Sequence, residues 1–233
     1  MAVAWPEPQP LERMLAWAVG LERFGIAGYG WGVAWLDGPG KLRWYRDNHP
    51  LYADIASREE LQGTTSRLFL IHLRRPSFLS TVRLSDSQPF VTGPAGFAFC
   101  HNGYLHRFRE LRGRFEHVLE GEADSEVGFR LTESLIREGR GPFEAIAEAH
   151  QILGGVANIG YLAADGTLGV YAGHPENRVW TFDNEGARVT ATALHSMDTS
   201  LFNLVFTGAT NRQVCELGGV AEISSAAHSG TDG

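Results

Sequence analysis

The sequence is poor in cysteine and has no long uninterrupted apolar run. Two cysteines, Cys100 and Cys215, occur among 233 residues, too few for a disulfide framework and typical of a reducing compartment. Arg, Gly or Pro interrupts each apolar stretch well before the roughly 20 residues that a membrane-spanning helix needs. No basic segment followed by an apolar one marks a secretory signal. We therefore expect a cytoplasmic protein with no membrane partner.

Basic residues are also scarce. Lys and Arg number 20 against 27 Asp and Glu, which gives a net charge of −7. Phosphate binding needs clustered Lys and Arg, so this balance disfavours nucleic acid as a partner. None of the histidines has metal-ligand spacing, and the two cysteines lie too far apart in sequence for a zinc site. The composition thus favours a protein that binds a small molecule without a metal.

Hydrophobic periodicity predicts strands at both ends of the chain and helices between them. We predict one domain over residues 1–223 and a disordered tail over 224–233, because no repeat or linker divides the chain. Residues 2–5 are interpreted as the end of a short strand, and the proline-rich segment 6–10 as a turn. This order favours an α+β layered domain over an alternating βαβ one. The predicted helices are 11–24, 105–119, 125–138 and 142–152, and the main predicted strands are 33–36, 41–46, 68–73, 97–100, 156–162, 168–171, 179–183 and 188–193.

The stretch AFCHNGYL holds two candidate chemistries. Cys100 beside His101 suggests a nucleophile and its base, but neighbours on a strand point to opposite faces, and a cysteine in an apolar run is usually a core residue. Asn102-Gly103 offers a side-chain amide and a backbone N–H, the donors that an oxyanion hole requires. The competing interpretation is an ordinary turn. From these residues alone the turn is favoured.

Three further features have a functional and a structural interpretation. Arg74 ends a predicted strand and offers a fork suited to a carboxylate, with Arg75 as the other candidate and a solvated surface role as the alternative. Asp124 is placed where a helix cap belongs. The glycines of 28–32 serve a turn or allow close approach of a ligand.

In order along the chain, five short motifs resemble the class II glutamine amidotransferase domains, which are N-terminal-nucleophile hydrolases. The resemblance is to the stand-alone type and covers roughly residues 2 to 210. It implies a four-layer αββα sandwich of two stacked antiparallel sheets and no organic cofactor. The motifs are Gly-Tyr-Gly-Trp-Gly (28–32), His-Leu-Arg (72–74), Gln-Pro-Phe (88–90), His-Asn-Gly (101–103) and Ala-Asp-Ser-Glu (123–126).

The resemblance also implies roles for individual residues. Asn102 and Gly103 would form the oxyanion hole. Arg74 would bind the α-carboxylate of glutamine or of another γ-glutamyl compound, and Asp124 its α-amino group. The glutamine-binding loop region would contain Gly30, Trp31 and Gly32. Ammonia would be released to water or passed to a separate acceptor protein.

Departures from the family pattern occur at four places. Tyr29 stands where the family commonly has Asp, Gln88 where it has His, and Pro76-Ser77 where it commonly has Ala-Thr. The family nucleophile is an N-terminal cysteine, whereas this chain begins Met1-Ala2. Three explanations follow. A few residues that end in Cys-Arg-Leu-Leu or a similar sequence precede Ala2 and complete a strand that is about four residues short. Alternatively, Ala2 replaces the cysteine by engineering, or the protein is a natural pseudoenzyme. The predicted function is hydrolysis of the glutamine amide, and the alternative is ligand binding without cleavage. An unrelated amidase with Cys100 as nucleophile is a further rival.

Overall fold

The computed structural model of the chain describes residues 1–25, 27–192 and 200–223. The predicted tail 224–233 lies outside them. The strands are, in chain order, β1 (Ala2–Pro10), β2 (Trp31–Leu36), β3 (Leu42–Asp47), β4 (Thr65–Leu73), β5 (Phe90–Val91), β6 (Phe97–Leu105), β7 (Gly155–Ala163), β8 (Leu168–Gly173), β9 (Val179–Asn184), β10 (Ala187–Thr192), β11 (Thr210–Val214) and β12 (Val220–Glu222). The α-helices are α1 (Leu11–Gly25), α2 (Ile55–Glu60), α3 (Phe108–Phe115), α4 (Asp124–Arg137), α5 (Pro142–Leu153) and α6 (Ser200–Val205).

The strands form two antiparallel sheets. The first has the order β11-β9-β10-β1-β4-β2-β3, and the second has the order β12-β8-β7-β6-β5. Tight turns at Asp37-Gly38 and Asp165-Gly166 join neighbouring strands, as their sequences predict. In the first sheet β1 lies between β4 and β10, so the start of the chain occupies the middle of that sheet.

The molecule has four layers, and a hydrophobic cluster lies between each pair of neighbouring layers. One cluster joins α1 to the outer face of the first sheet through residues such as Met14 and Val3. Another joins α4 and α5 to the outer face of the second sheet, with Val127 and Ile146 among its members. The third lies between the sheets. The predicted four-layer αββα sandwich is confirmed.

The layer between the sheets combines alanine side chains with larger aliphatic ones. In β1, Ala2 and Ala4 face this layer while Val3 faces α1, as the alternation of a strand requires. Opposite them, a Cβ added at Gly160 of β7 would lie 2.7 Å from Leu70 Cδ1. Small residues therefore let the two sheets approach closely, which brings their strand ends to one place.

Several predicted element boundaries are wrong. The segment 6–10 is not a turn, because β1 continues through Pro10 with a register shift between Ala4 and Gln9 that accommodates the prolines. With nine residues, β1 is not a short strand. The strand predicted at 97–100 extends to Leu105, so the helix expected from 105 begins only at Phe108. Among the described residues, no helix has both the length and the apolar character needed to cross a membrane.

Candidate active site

A cavity of about 430 Å³ opens where strand ends from the two sheets meet. The first sheet contributes Met1, which precedes β1, and the ends of β4 and β10. The second contributes β6, β7 and the turn after β8. The start of α4 completes the wall. The predicted site residues Arg74, Asn102, Gly103 and Asp124 all line this cavity, although they come from β6, from the start of α4 and from the position that follows β4.

Arg74 follows the last residue of β4 and is 4% exposed. Its Nη2 donates hydrogen bonds to the carbonyl oxygen and the hydroxyl of Thr81, the latter at 3.0 Å. Its Nη1 is buried and has no hydrogen-bond partner within the described part of the chain. Burial lowers the pKa of Arg74, and nearby Asp86 opposes that shift. A buried guanidinium nitrogen without an acceptor is costly, so Nη1 is well suited to receive a ligand carboxylate.

Asp124 is the first residue of α4, and its Oδ2 accepts a hydrogen bond from the Leu105 backbone N–H at 2.7 Å. A second carboxylate fixes the same end of the helix. Asp86, fully buried, accepts hydrogen bonds from the backbone N–H groups of Glu122 and Ala123 at 2.6 and 2.7 Å. Sequence reasoning missed Asp86, because no local pattern relates it to residues 36 and 37 positions away.

Gln88 links the second sheet to α4. Its Oε1 accepts a hydrogen bond from the His101 backbone N–H at 2.5 Å, and its Nε2 donates to Ser125 Oγ at 3.2 Å. Gln88 is 5% exposed, and both of its side-chain polar groups are used. This residue, which departs from the family pattern, therefore holds β6 and the start of α4 in a fixed relation.

Asn102 and Gly103 lie within β6, opposite Asn158 and Ala157 of β7, so the interpretation as a turn is wrong. Gly103 has a φ of +144°, and a Cβ there would lie 1.9 Å from the Val156 carbonyl oxygen. Only glycine fits that position. The Asn102 side chain is exposed, and its Nδ2 makes a long contact of 3.5 Å with Thr192 Oγ1 across the cavity.

The first two residues of the chain have different surroundings. Met1 lines the cavity, and its α-amino group donates a hydrogen bond to the Ile71 carbonyl oxygen at 2.8 Å. Ala2 is fully buried between the sheets, paired with Leu70 and Thr190. Burial lowers the pKa of the Met1 amine to about 6. Met1 therefore lines the cavity, whereas Ala2 does not. Which residue takes the place of the family nucleophile stays a prediction.

Cys100 and His72 also border the cavity. Cys100 packs in the cluster between the sheets, and burial raises the pKa of its thiol to about 12, which makes the thiolate scarce at neutral pH. Cys100 is a core residue, as the sequence predicts. Burial and nearby positive charge lower the pKa of His72 to about 3. The described residues hold no group of three His, Cys, Asp or Glu side chains placed to bind a metal ion.

Gly30, Trp31 and Gly32 lie behind the cavity wall and are not among its lining residues. The Gly30 carbonyl oxygen accepts a hydrogen bond from the backbone N–H of Arg74 at 2.9 Å. Trp31 is buried against α1 and donates from Nε1 to Asp54 Oδ2 at 2.9 Å. A Cβ at Gly32 would lie 2.2 Å from the Gln88 carbonyl oxygen. These residues support Arg74 and Gln88, and their assignment to the glutamine-binding loop region stays a prediction.

A polar turn after β8 forms the cavity wall on the side away from Arg74. Asn158 Nδ2 donates to the Asn177 carbonyl oxygen at 2.6 Å, and Asn158 Oδ1 accepts from the His174 N–H at 3.2 Å. The Asn177 N–H donates to His174 Nδ1 at 3.1 Å. Sequence reasoning missed these residues, because His-Pro-Glu-Asn between two strands has the composition of an ordinary turn.

Comparisons with known proteins identify the family and the fold. The family model described as "Glutamine amidotransferases class-II" matches residues 13–185, about three quarters of the chain. A glutamine–fructose-6-phosphate aminotransferase (isomerizing) from Bradyrhizobium diazoefficiens is 34% identical over 109 residues, which are 46% of this chain and 17% of that protein. The chain thus spans less than a fifth of this curated relative.

Two solved structures share the fold over 97% of this chain, each at 20% identity. A glutamine phosphoribosylpyrophosphate amidotransferase from B. subtilis has a TM-score of 0.70, with 49% of that chain covered. A glutamine aminotransferase class-II domain protein from Silicibacter pomeroyi has a TM-score of 0.60, with 99% of that chain covered. On the extent of the family match, the chain belongs to the class II glutamine amidotransferases.

Proposed function

We propose that the cavity binds glutamine, or a γ-glutamyl compound, for cleavage of its γ-amide. The observation that carries this proposal is the buried, unpartnered Nη1 of Arg74 in the same cavity as Asp124 and Asn102, within the described residues. Arg74 would bind the α-carboxylate, and Asp124 the α-amino group. Two such contacts would fix the amino-acid end and bring the γ-carbonyl to Asn102 and Gly103.

The reaction needs a nucleophile at the position of Met1. A cysteine thiol there would lose its proton to its own α-amine, and its sulfur would attack the γ-carbonyl carbon. The Asn102 amide and the Gly103 N–H would stabilise the oxyanion. The C–N bond would break as the ammonium returns the proton to the leaving amine, and water would then cleave the thioester to give glutamate. The lowered pKa of the Met1 amine supports this role, because an amine with a pKa of about 6 is neutral at pH 7.

Methionine at position 1 supplies no such nucleophile, because a thioether sulfur has no proton to lose and forms no stable acyl intermediate. The second candidate function is therefore ligand binding without cleavage on the same fold. The contact of Met1 with the cavity favours this candidate for a chain that carries Met1. Both candidates require Arg74 and Asp124 to bind the amino-acid end of the ligand, and we call these two residues the clamp.

The clamp can be tested by thermal unfolding with and without ligand. L-Glutamine or L-glutamate at millimolar concentration should raise Tm, and Arg74→Ala and Asp124→Ala should abolish the shift. Arg67→Ala, an exposed arginine outside the cavity, is the matched control and should keep it. A full shift in both clamp variants would overturn the assignment.

The nucleophile position can be tested with chains released from a fusion by a protease. A chain that begins with cysteine in place of Met1 should release ammonia from glutamine at least about 100-fold faster than the Met1 chain. A chain in which Met1 is removed and Ala2→Cys supplies the first residue should stay near background, because position 2 faces the layer between the sheets. Equal activity of the two cysteine chains would contradict the placement.

The fate of ammonia belongs to the same proposal. The name of the Bradyrhizobium relative states that its nitrogen goes to a sugar phosphate, but this chain matches only 17% of that protein. We expect a separate acceptor protein, or simple hydrolysis, in the cytoplasm. Co-purification with an acceptor that consumes ammonia would support the first of these outcomes.

A further inference from the structure

The cavity extends on both sides of Met1 and Asn102. In the first sheet, β4 with Arg74 lies on one side of β1, and β10 with Thr192 lies on the other. In the second sheet, Gln88 and β5 lie on one side of β6, whereas β7 and β8 lie on the other. The strand orders of the two sheets therefore run in the same direction across the cavity. The end of the cavity that holds Thr192, His174 and Asn177 is opposite the end that holds Arg74.

This arrangement sets the direction of a bound γ-amide. If the amino-acid end lies at Arg74 and the carbonyl oxygen at Asn102 and Gly103, the amide nitrogen projects away from Arg74. It then points toward the wall formed by Thr192 and the turn after β8. Strands in a sheet are about 4.8 Å apart, so β10 lies about 10 Å from β4, on the far side of β1. Among the described residues, His174, Asn177 and Thr192 line that end of the cavity.

The far wall is polar and fixed by its own hydrogen bonds. Asn158 and the Asn177 N–H hold the turn, as described above, and these contacts leave two side-chain groups for a ligand. Asn177 Oδ1 is buried with no hydrogen-bond partner in the described part of the chain. His174 Nδ1 accepts a hydrogen bond, so the neutral ring carries its proton on Nε2, a donor. Burial lowers the pKa of His174, which keeps the ring neutral.

We propose that this far end is a binding site for the leaving group, and that the ligand is a γ-glutamyl amide whose nitrogen carries a small, uncharged polar substituent. A ligand N–H would pair with Asn177 Oδ1, and a ligand carbonyl with His174 Nε2 or the Thr192 hydroxyl. If the leaving group were ammonia, Asn177 Oδ1 would stay unpaired, which would cost binding free energy. The arginines among the described lining residues are Arg74 and Arg75, and Glu176 acts electrostatically on His174, so a negatively charged substituent would be disfavoured beside His174. The inference rests on the proposed function.

Binding measurements on the protein as it is test the inference. L-γ-Glutamylglycinamide, which has an N–H donor and a carbonyl acceptor beyond the amide, should bind about fivefold or more tightly than glutamine. γ-Glutamylethylamide, of similar shape without those groups, should show no such gain. Asn177→Ala and His174→Phe should remove the gain and leave glutamine affinity within about twofold. The exposed Asn48→Ala is the control for amide removal and should keep the gain.

The outcomes separate the two proposals. If none of the three compounds binds, or if binding does not depend on Arg74, the proposed function is wrong. If glutamine binds through Arg74 but the glycinamide compound gains nothing, or gains equally in Asn177→Ala and His174→Phe, the leaving-group site is wrong while the proposed function stands.

Discussion

At the scale of single residues, the cavity depends on atoms whose positions are fixed by close packing or by hydrogen bonds. Gly103 admits no side chain, Asp86 Oδ1 accepts two backbone hydrogen bonds, and both polar groups of the Gln88 side chain have partners. The buried Nη1 of Arg74 is the contrasting case, since no described residue pairs with it. A site with fixed supports and unpaired hydrogen-bonding groups is prepared for a ligand before the ligand arrives.

Gly103→Ala should destabilise the fold by about 3 kcal/mol or more, because the new methyl group meets the Val156 carbonyl oxygen and the φ of +144° is strained for alanine. Urea unfolding measures the change. Gly113→Ala is the control: it lies in α3 with no atom within 4 Å of the added Cβ, and should stabilise by about 0.5 to 1 kcal/mol. Equal effects of the two variants would contradict this account.

His72 should make stability depend on pH. Its Nε2 contacts the His101 carbonyl oxygen at 3.1 Å, and its Nδ1 is buried without a partner among the described residues, so the neutral ring fits best. The pKa of His72 is lowered to about 3 in the fold, whereas the unfolded ring takes up a proton below about pH 6.5. Stability from this group is therefore present above pH 6.5 and lost as the pH falls toward 3.

The comparison for this prediction is His72→Gln, which keeps a donor for the His101 carbonyl oxygen. The difference in unfolding free energy between the wild type and the variant should shrink steadily from pH 7 to pH 4. Subtracting the two pH curves cancels the contributions of the Met1 amine and of His101, whose pKa values are also lowered. Two parallel curves would rule out His72 as the source.

At the scale of elements, the segment between β4 and β5 controls the start of α4. It passes through two 3-10 turns, Leu79–Thr81 and Leu84–Asp86. The first supplies Thr81, which holds Arg74, and the second supplies Asp86, which holds the residues before Asp124. One segment thereby sets the distance between the two proposed clamps for the amino-acid end.

Asp86→Asn should lower the stability by about 1.5 to 3 kcal/mol, because bonds to a charged acceptor are replaced by bonds to a neutral one. The amide group also places a donor near Arg74, so the stabilisation by glutamine should fall as well. Calorimetric unfolding with and without ligand gives both values. Asp37→Asn is the matched control in an exposed hairpin, where both changes should be small. Loss of stability without any effect on ligand binding would separate Asp86 from the site.

Sequence patterns predict the elements better than their junctions. The buried run that ends before Arg74 and the periodic helices could be identified, because each depends on local alternation. The course of β1 through three prolines could not, since a register shift in the sheet makes room for them. Asn102-Gly103 has the composition of a turn, and only pairing with β7 keeps it in a strand. The roles of Asp86 and Asn177 arise from contacts made by folding.

At the scale of the whole molecule, the layer between the sheets decides whether the strand ends meet. Gly160→Ala should cost about 1 to 3 kcal/mol, because its methyl group would lie 2.7 Å from Leu70 Cδ1 in a full core. Adding Leu70→Val should recover part of that cost, so the double variant is more stable than the sum of the single effects predicts. Chemical denaturation of the four chains measures the coupling. Simple additivity would indicate that the sheets adjust freely.

The position of the cavity across both sheets has a consequence for how the protein responds to its ligand. Arg74 follows a strand of one sheet and Asn102 lies in the other sheet, and the two sheets contact each other through apolar side chains. A ligand that contacts both Arg74 and Asn102 adds a link between the two sheets. Occupancy should therefore slow amide hydrogen exchange in β1 and β6 together, strands far from each other in sequence, and should raise the cooperativity of unfolding along with its midpoint.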